Sequence, residues 1–232
     1  MLGRKFAKAA ATLLIAAGLV GPANAELILT ISDGEESFTT TDFDDNGTVL
    51  FVGSVGSWVF NVTIGLADPM NGDDASTSSL DLASLNVSGR SETGGTLYIS
   101  LTDTDNMVPY GDTNYYVGVG GNTDGTVTFA SYVDSTNAAF GTETLLYETA
   151  VLTGSPFSAS GSGGVEVEGP YSITTVATIN HQHGFNVTSF AHTVEIPEPA
   201  VLALVGVGLL GMAFGIRAGR RRARRAPAVA MT

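Results

Sequence analysis

Ser57-Trp58-Val59-Phe60-Asn61-Val62-Thr63-Ile64 is the stretch whose reading decides the fold. Successive side chains of a β-strand point to opposite faces, so an alternating run places one parity on a core and the other outside. Here Trp58, Phe60, Val62 and Ile64 share one parity, and Ser57, Asn61 and Thr63 the other. Thr96–Thr102, TLYISLT, repeats the pattern with Leu97, Ile99 and Leu101. Working outward, shorter period-two runs recur at 27–31, 37–41, 48–52, 82–87, 115–119, 126–133, 143–152, 171–179 and 185–195. They are β-branched and aromatic, and Gly, Asn, Asp and Ser separate them. Between residues 26 and 196 no segment sustains a 3.6-residue period with helix caps.

This patterning predicts an all-β body of about ten strands in two packed antiparallel sheets, a β-sandwich of jelly-roll or Ig-like type. Asn46-Gly47 and Asp124-Gly125 read as tight hairpin turns, because these residues tolerate positive φ. Gly53-Ser54-Val55-Gly56-Ser57 reads as a turn between strands rather than a nucleophile elbow, since G-x-S-x-G is not met. Two connections read as long loops: Ala67–Asp81, and the Ser/Gly-rich Gly154–Gly169.

Nine of the ten Lys and Arg residues lie at the two ends of the chain. Arg4, Lys5 and Lys8 precede the apolar run Ala9–Val20, and Ala23 and Ala25 supply small residues at −3 and −1 of a cleavage point. Residues 1–25 therefore read as a signal peptide, engaging the Sec translocon and signal peptidase, with the mature chain starting at Glu26. At the other end, residues 200–219 are apolar over twenty positions, about 30 Å as a helix and enough for a hydrocarbon core. Arg217, Arg220, Arg221, Arg222, Arg224 and Arg225 follow as a stop-transfer cluster that keeps the tail cytoplasmic.

The body that remains, residues 26–196, is large enough for one domain with its own core. It holds 22 of the 23 acidic residues against Arg90 alone, a formal charge of −21. Such a field repels nucleic acid and excludes it as a partner, while attracting cations. The chain has no cysteine, which removes disulfides, thiolate metal sites and a Cys nucleophile.

Pro197-Glu198-Pro199, the apolar run and the arginine cluster stand in that order, and in this the chain resembles the PEP-CTERM family of exosortase-sorted proteins. The resemblance covers roughly the last thirty residues. It implies a sorting signal at 197–225, followed here by a short extension at 226–232. It further implies recognition by a membrane-embedded exosortase, removal of the tail, and release or transfer of the body to the surface of a Gram-negative bacterium that makes exopolysaccharide. The two prolines also predict a segment that stays outside helices and sheet ladders, extended and open to a peptidase.

Candidate chemistry is sparse. Asp42, Asp44 and Asn46 in D-x-D-x-N-G fit the first half of a Ca²⁺ loop, but Gly53 stands where an EF-hand places its bidentate Glu. A partial Ca²⁺ loop and a polar hairpin turn are the two readings. Asp73-Asp74 and Asp103-Thr104-Asp105-Asn106 are further oxygen donors. His181, His183 and His192 are the only imidazoles; a Zn²⁺ site is one reading and exposed hairpin-tip residues the other. Arg90 reads as a solvated loop charge. No catalytic residue is nominated, and the expectation is a non-enzymatic protein with a structural or adhesive role at the cell surface or in the exopolysaccharide matrix. The alternative is a carbohydrate-binding module, with or without Ca²⁺, for which Tyr110, Tyr115, Tyr116 and Tyr132 would form a line of exposed aromatics on one sheet face.

Overall fold

The computed structural model describes residues 26–68, 77–89, 94–107, 109–183 and 185–197. The signal peptide, Asp73-Asp74, Arg90, Glu198, Pro199 and the apolar run with its arginine cluster lie outside the described residues. Among the described residues there are thirteen strands and no helix long and apolar enough to cross a membrane.

The strands are β1 (Leu27–Ser32), β2 (Ser37–Thr41), β3 (Thr48–Val55), β4 (Trp58–Asp68), β5 (Thr77–Gly89), β6 (Gly95–Asn106) and β7 (Gly111–Thr123). There follow β8 (Thr126–Asp134), β9 (Thr144–Glu148), β10 (Leu152–Thr153), β11 (Phe157–Val167), β12 (Tyr171–His181) and β13 (Val187–Pro197). One sheet runs β10-β8-β12-β6-β1-β2, with β9 also on β8, and the other runs β11-β7-β13-β5-β4-β3. Every pairing is antiparallel. From β5 to β8, and again from β11 to β13, consecutive strands alternate between the sheets, which is the jelly-roll form of the expected sandwich.

The alternation that opened the sequence holds through Phe60 and then slips: Thr63 and Gly65 are buried while Val62 and Ile64 are only half-buried, because a bulge shifts the pairing with β3 between Phe51↔Thr63 and Gly53↔Phe60. Trp58 and Phe60 of β4 point inward with Leu80 and Leu82 of β5 and Val194 and Ile196 of β13. Across the interface stand Leu29 and Ile31 of β1, Leu97, Ile99 and Leu101 of β6, and Ile173 and Ile179 of β12. Each such side chain contributes roughly 1.5–3 kcal/mol by leaving water, and in a protein with no cysteine this core carries the fold.

Four local expectations are corrected. Asp124-Gly125 is not a hairpin between paired strands: it is a two-residue corner that carries the chain from β7 in one sheet to β8 in the other. A Cβ on Gly125 would fall 2.3 Å from the Asn180 carbonyl oxygen, so the corner needs glycine for close approach. Asn46-Gly47 likewise belongs to a crossover, from β2 to β3.

Gly154–Gly169 is not a flexible loop, because Phe157–Val167 pairs with β7 along eleven residues. Phe157, Val165 and Val167 are buried, and Gly161 and Gly163 lie against the Tyr147 and Tyr115 rings. Its small residues fill both parities of an edge strand, Ser158, Ser160 and Ser162 on the exposed one and Ala159, Gly161 and Gly163 on the other. The C-terminal part of the other supposed loop, Thr77–Asp81, is the start of β5.

The first proline of the sorting motif is also placed differently from expectation. Pro197 is the last residue of β13, paired with Thr77, and its carbonyl accepts a hydrogen bond from Thr113 Oγ1. A proline lacks an N–H, but at a strand end its carbonyl is still free to pair. The strand β13 is central in its sheet, held by β5 from Val187 to Pro197 and by β7 from Thr188 to Glu195.

Candidate functional site

The outer face of the six-stranded sheet carries a trough about 430 Å³ in volume, lined by Tyr116, Gly118, Ser160, Ser162, Thr193 and Glu195 among others. Period-two alternation builds it. In β7, Val117 and Val119 turn inward, so Tyr116, Gly118 and Gly120 face out. Register then assembles two rows across three strands. One row is Ser162, Tyr116 and Glu195, and the next is Ser160, Gly118 and Thr193. A Cβ on Gly118 would meet nothing within 4 Å, so the missing side chain itself opens the floor. Tyr116 is 51% exposed and stands as one wall. The lining thus offers one aromatic face, three hydroxyl-bearing residues and one carboxylate, which suits a polar ligand with flat apolar patches.

The four tyrosines do not form a line. Tyr116 alone faces the trough. Tyr110, also exposed, is in the β6–β7 connection; Tyr115 turns inward and donates its hydroxyl to the Leu146 carbonyl; Tyr132 sits on the other sheet. Ser160 and Ser162 fall in the stretch expected to be a loop, while Gly118, Thr193 and Glu195 lie on expected strands and meet only through the register of three strands far apart in sequence.

In the 42–47 crossover, Asp42 is buried and its Oδ2 accepts the Gly47 amide at 2.6 Å and the Thr48 amide at 3.3 Å. Burial pushes the Asp42 carboxyl up, but the side-chain contact with Asp44 and the amides of Gly47, Asn46 and Thr48 together outweigh it, and the net direction is down. Asp42 Oδ1 is buried and receives no N–H or hydroxyl donor. Asp45 (φ 51°) and Gly47 (φ 70°) take the left-handed conformation that wraps this turn. Among the described residues no three His, Asp or Glu side chains cluster as a metal site.

The histidines are not hairpin-tip residues, apart from His183. His181 and His192 are each 1% exposed, inside the sandwich. His192 shares a hydrogen bond with Ser131 Oγ at 2.8 Å beside Phe129, and burial holds its pKa down to about 3. His181 shares one with Thr188 Oγ1 at 2.8 Å under Trp58; burial lowers its pKa, against a smaller upward pull from Asp124. They are neutral core groups rather than ligands.

Asp103 is not a loop oxygen donor either. It lies within β6, and burial raises its pKa to about 7; the Asn106 side chain opposes this and the Asp105 charge adds to it. Asn106 Nδ2 donates to Asp103 Oδ2 at 3.0 Å, while Asp105 exchanges two hydrogen bonds with Asn137.

The class these features define is a jelly-roll β-sandwich delivered by a C-terminal signal. Residues 195–222 match the model of the PEP-CTERM protein-sorting motif, so the chain carries that motif. That motif marks an exported precursor. No curated protein matches the chain. Among solved structures, TmCBM61 in complex with beta-1,4-galactotriose aligns at 11% identity and TM-score 0.34, over 73% of this chain and 88% of that one. The C-terminal family 22 carbohydrate-binding module of Clostridium thermocellum Xyn10B aligns at 11% identity and TM-score 0.32, over 66% and 86%. The K1 cleaved adhesin domain of Lys-gingipain from Porphyromonas gingivalis W83 aligns at 16% identity and TM-score 0.32, over 66% and 98%. The sandwich rests on its own paired strands and not on these likenesses.

Proposed function

We propose that this chain is the precursor of a non-enzymatic matrix protein, which an exosortase processes and whose sandwich then adheres to extracellular polysaccharide. The observation that carries the adhesive role is the trough around Tyr116. Its aromatic wall suits stacking against a sugar ring, and Ser160, Ser162, Thr193 and Glu195 suit the hydroxyls around that ring. The lining holds one carboxylate, Glu195, whereas glycoside hydrolysis takes two flanking the bond, which supports binding over turnover. A body of charge −21 favours a neutral or amino-bearing glycan over an anionic one.

The test is affinity electrophoresis of residues 26–197 through gels containing neutral β-glucan, galactan or a partly deacetylated amino-sugar polymer. Tyr116→Ala is expected to weaken retardation about tenfold or more, the loss of roughly 1.4 kcal/mol or more of stacking, with the melting temperature unchanged. No retardation of the unsubstituted body in any of the three gels would remove the adhesive reading.

Calcium dependence is a second part of the proposal, favoured by the Asp42–Asp44 pair and the undonated Asp42 Oδ1. A hard cation there would take carboxylate oxygens and offset their repulsion. Millimolar Ca²⁺ is expected to raise the melting temperature of the body by several degrees over EDTA at matched ionic strength, and Asp44→Asn to abolish the difference. Equal melting temperatures would exclude a cation at this turn.

A further inference from the structure

We infer that the folded sandwich itself selects the processing site: every peptide bond up to and including the one whose carbonyl belongs to Pro197 is closed to the sorting peptidase, and the mature chain ends at residue 198 or later. This rests on the exosortase reading above. A peptidase must draw several residues of extended backbone into its own cleft, with their N–H and C=O groups free. In β13 those groups are already taken. The strand pairs with β5 through Ile196↔Ser78 and Pro197↔Thr77, and with β7 through Val194↔Val117 and Glu195↔Tyr116. Thr113 Oγ1 holds the Pro197 carbonyl, the last acceptor of the strand.

Peeling β13 away is not a local event. Phe190, His192, Val194 and Ile196 are all buried core residues of a strand flanked on both sides, so exposing these bonds means opening the sandwich. The matched motif begins at Glu195, two residues before the last rung of the sheet at Pro197, so no spacer separates the body from its signal.

In the step itself, the enzyme's nucleophile adds to a carbonyl carbon beyond Pro197. The amide C–N bond breaks, the tail leaves as an amine carrying one proton, and water or an amine acceptor takes the acyl group. The product keeps β13 whole. A body joined to an acceptor this way has its pole, where Pro197 meets Thr113, directly at the junction.

The experiment is intact-mass analysis of the mature protein recovered from the full-length precursor in an exosortase-bearing host. A C-terminus that retains Pro197, at Glu198 or later, is expected. A second arm uses Thr113→Val, which removes the hydrogen bond to the Pro197 carbonyl. If the rung guards the site, this variant yields a mixture with some termini shifted to Pro197 or earlier, while the melting temperature of the body moves by only a few degrees. A native product ending at Pro197 or earlier overturns this inference alone and leaves the sorting reading standing. A chain that keeps its tail overturns both.

Discussion

Asp103→Asn is expected to make the sandwich far more sensitive to acid, and His192→Gln to do the opposite. Burial raises the folded Asp103 pKa from 3.8 to about 7, so the folded chain takes up this proton before the unfolded one. The stability linked to Asp103 is thus present below pH 3.8 and is lost as pH rises from 3.8 to about 7. His192 runs the other way. Its folded pKa is depressed from 6.5 to about 3 by burial, so the unfolded chain binds the proton first. Its contribution is complete above pH 6.5 and is lost as pH falls toward 3.

Each shift spans about three units, on the order of 4 kcal/mol at roughly 1.4 kcal/mol per unit. Between pH 6.5 and 4 the two therefore oppose one another. His181, also buried neutral, adds to the acid loss, and Asp33, Asp42 and Asp134, all held low, contribute theirs only below the ordinary carboxylate range. Urea midpoints from pH 7 to 4 read the outcome. Relative to the unsubstituted body, Asp103→Asn is expected to lose roughly 3–4 kcal/mol more across that window, and His192→Gln to lose about 3 kcal/mol less. Comparing slopes rather than absolute stabilities separates titration from any packing cost of the substitutions. Three parallel curves would show that neither group titrates as its burial requires.

These two groups also show where the sequence was legible and where it was not. A period of two is a local property, so the strands around Trp58 and Leu97 could be read from a handful of residues, and so could the sandwich they imply. What surrounds a polar side chain depends on strands far apart in the chain. His192 meets Ser131 from 61 residues away, and nothing within β13 distinguishes that histidine from an exposed one except its parity with Phe190 and Val194. The same parity places Asp103 with Leu101 and Ile99, a signal the composition of Asp103–Asn106 obscured.

Edge strand β11 failed for a related reason. Its Ser/Gly composition suggests a linker, yet small residues are what the Tyr147 and Tyr115 rings require beneath them. Because β11 was unread, so was half of the trough it walls. The sorting motif, by contrast, was legible from its residue order within a single segment, and a family model matches it over residues 195–222.

Trp58→Ala is expected to cost about 3–5 kcal/mol, a large part of the 5–15 kcal/mol that holds a domain of this size together. Trp58 is among the largest fully buried side chains, and the fold makes room for it specifically. It opens β4, paired with Val55 on one side and Gly89 on the other. The indole lies over Gly89 and Gly95, where an added Cβ would come within 4.0 and 3.8 Å of it, and its ring centroid is 4.8 Å from that of His181. Gly89 and Gly95 have no side chain to move into the void that alanine would leave, so the cavity cost adds to the lost transfer energy. Trp58→Phe, which keeps an aromatic ring there, is expected to cost about half as much.

A second readout separates this account from generic core damage. Burial is the main cause of the low His181 pKa, and the indole supplies part of that burial. In a Trp58→Ala protein still folded at low temperature, the His181 resonance is therefore expected to titrate closer to 6.5 than in the parent, while that of His192, packed on Phe129 elsewhere in the core, stays put. A variant that loses less than about 1 kcal/mol and leaves His181 unmoved would mean that Trp58 is not the keystone of this end of the sandwich.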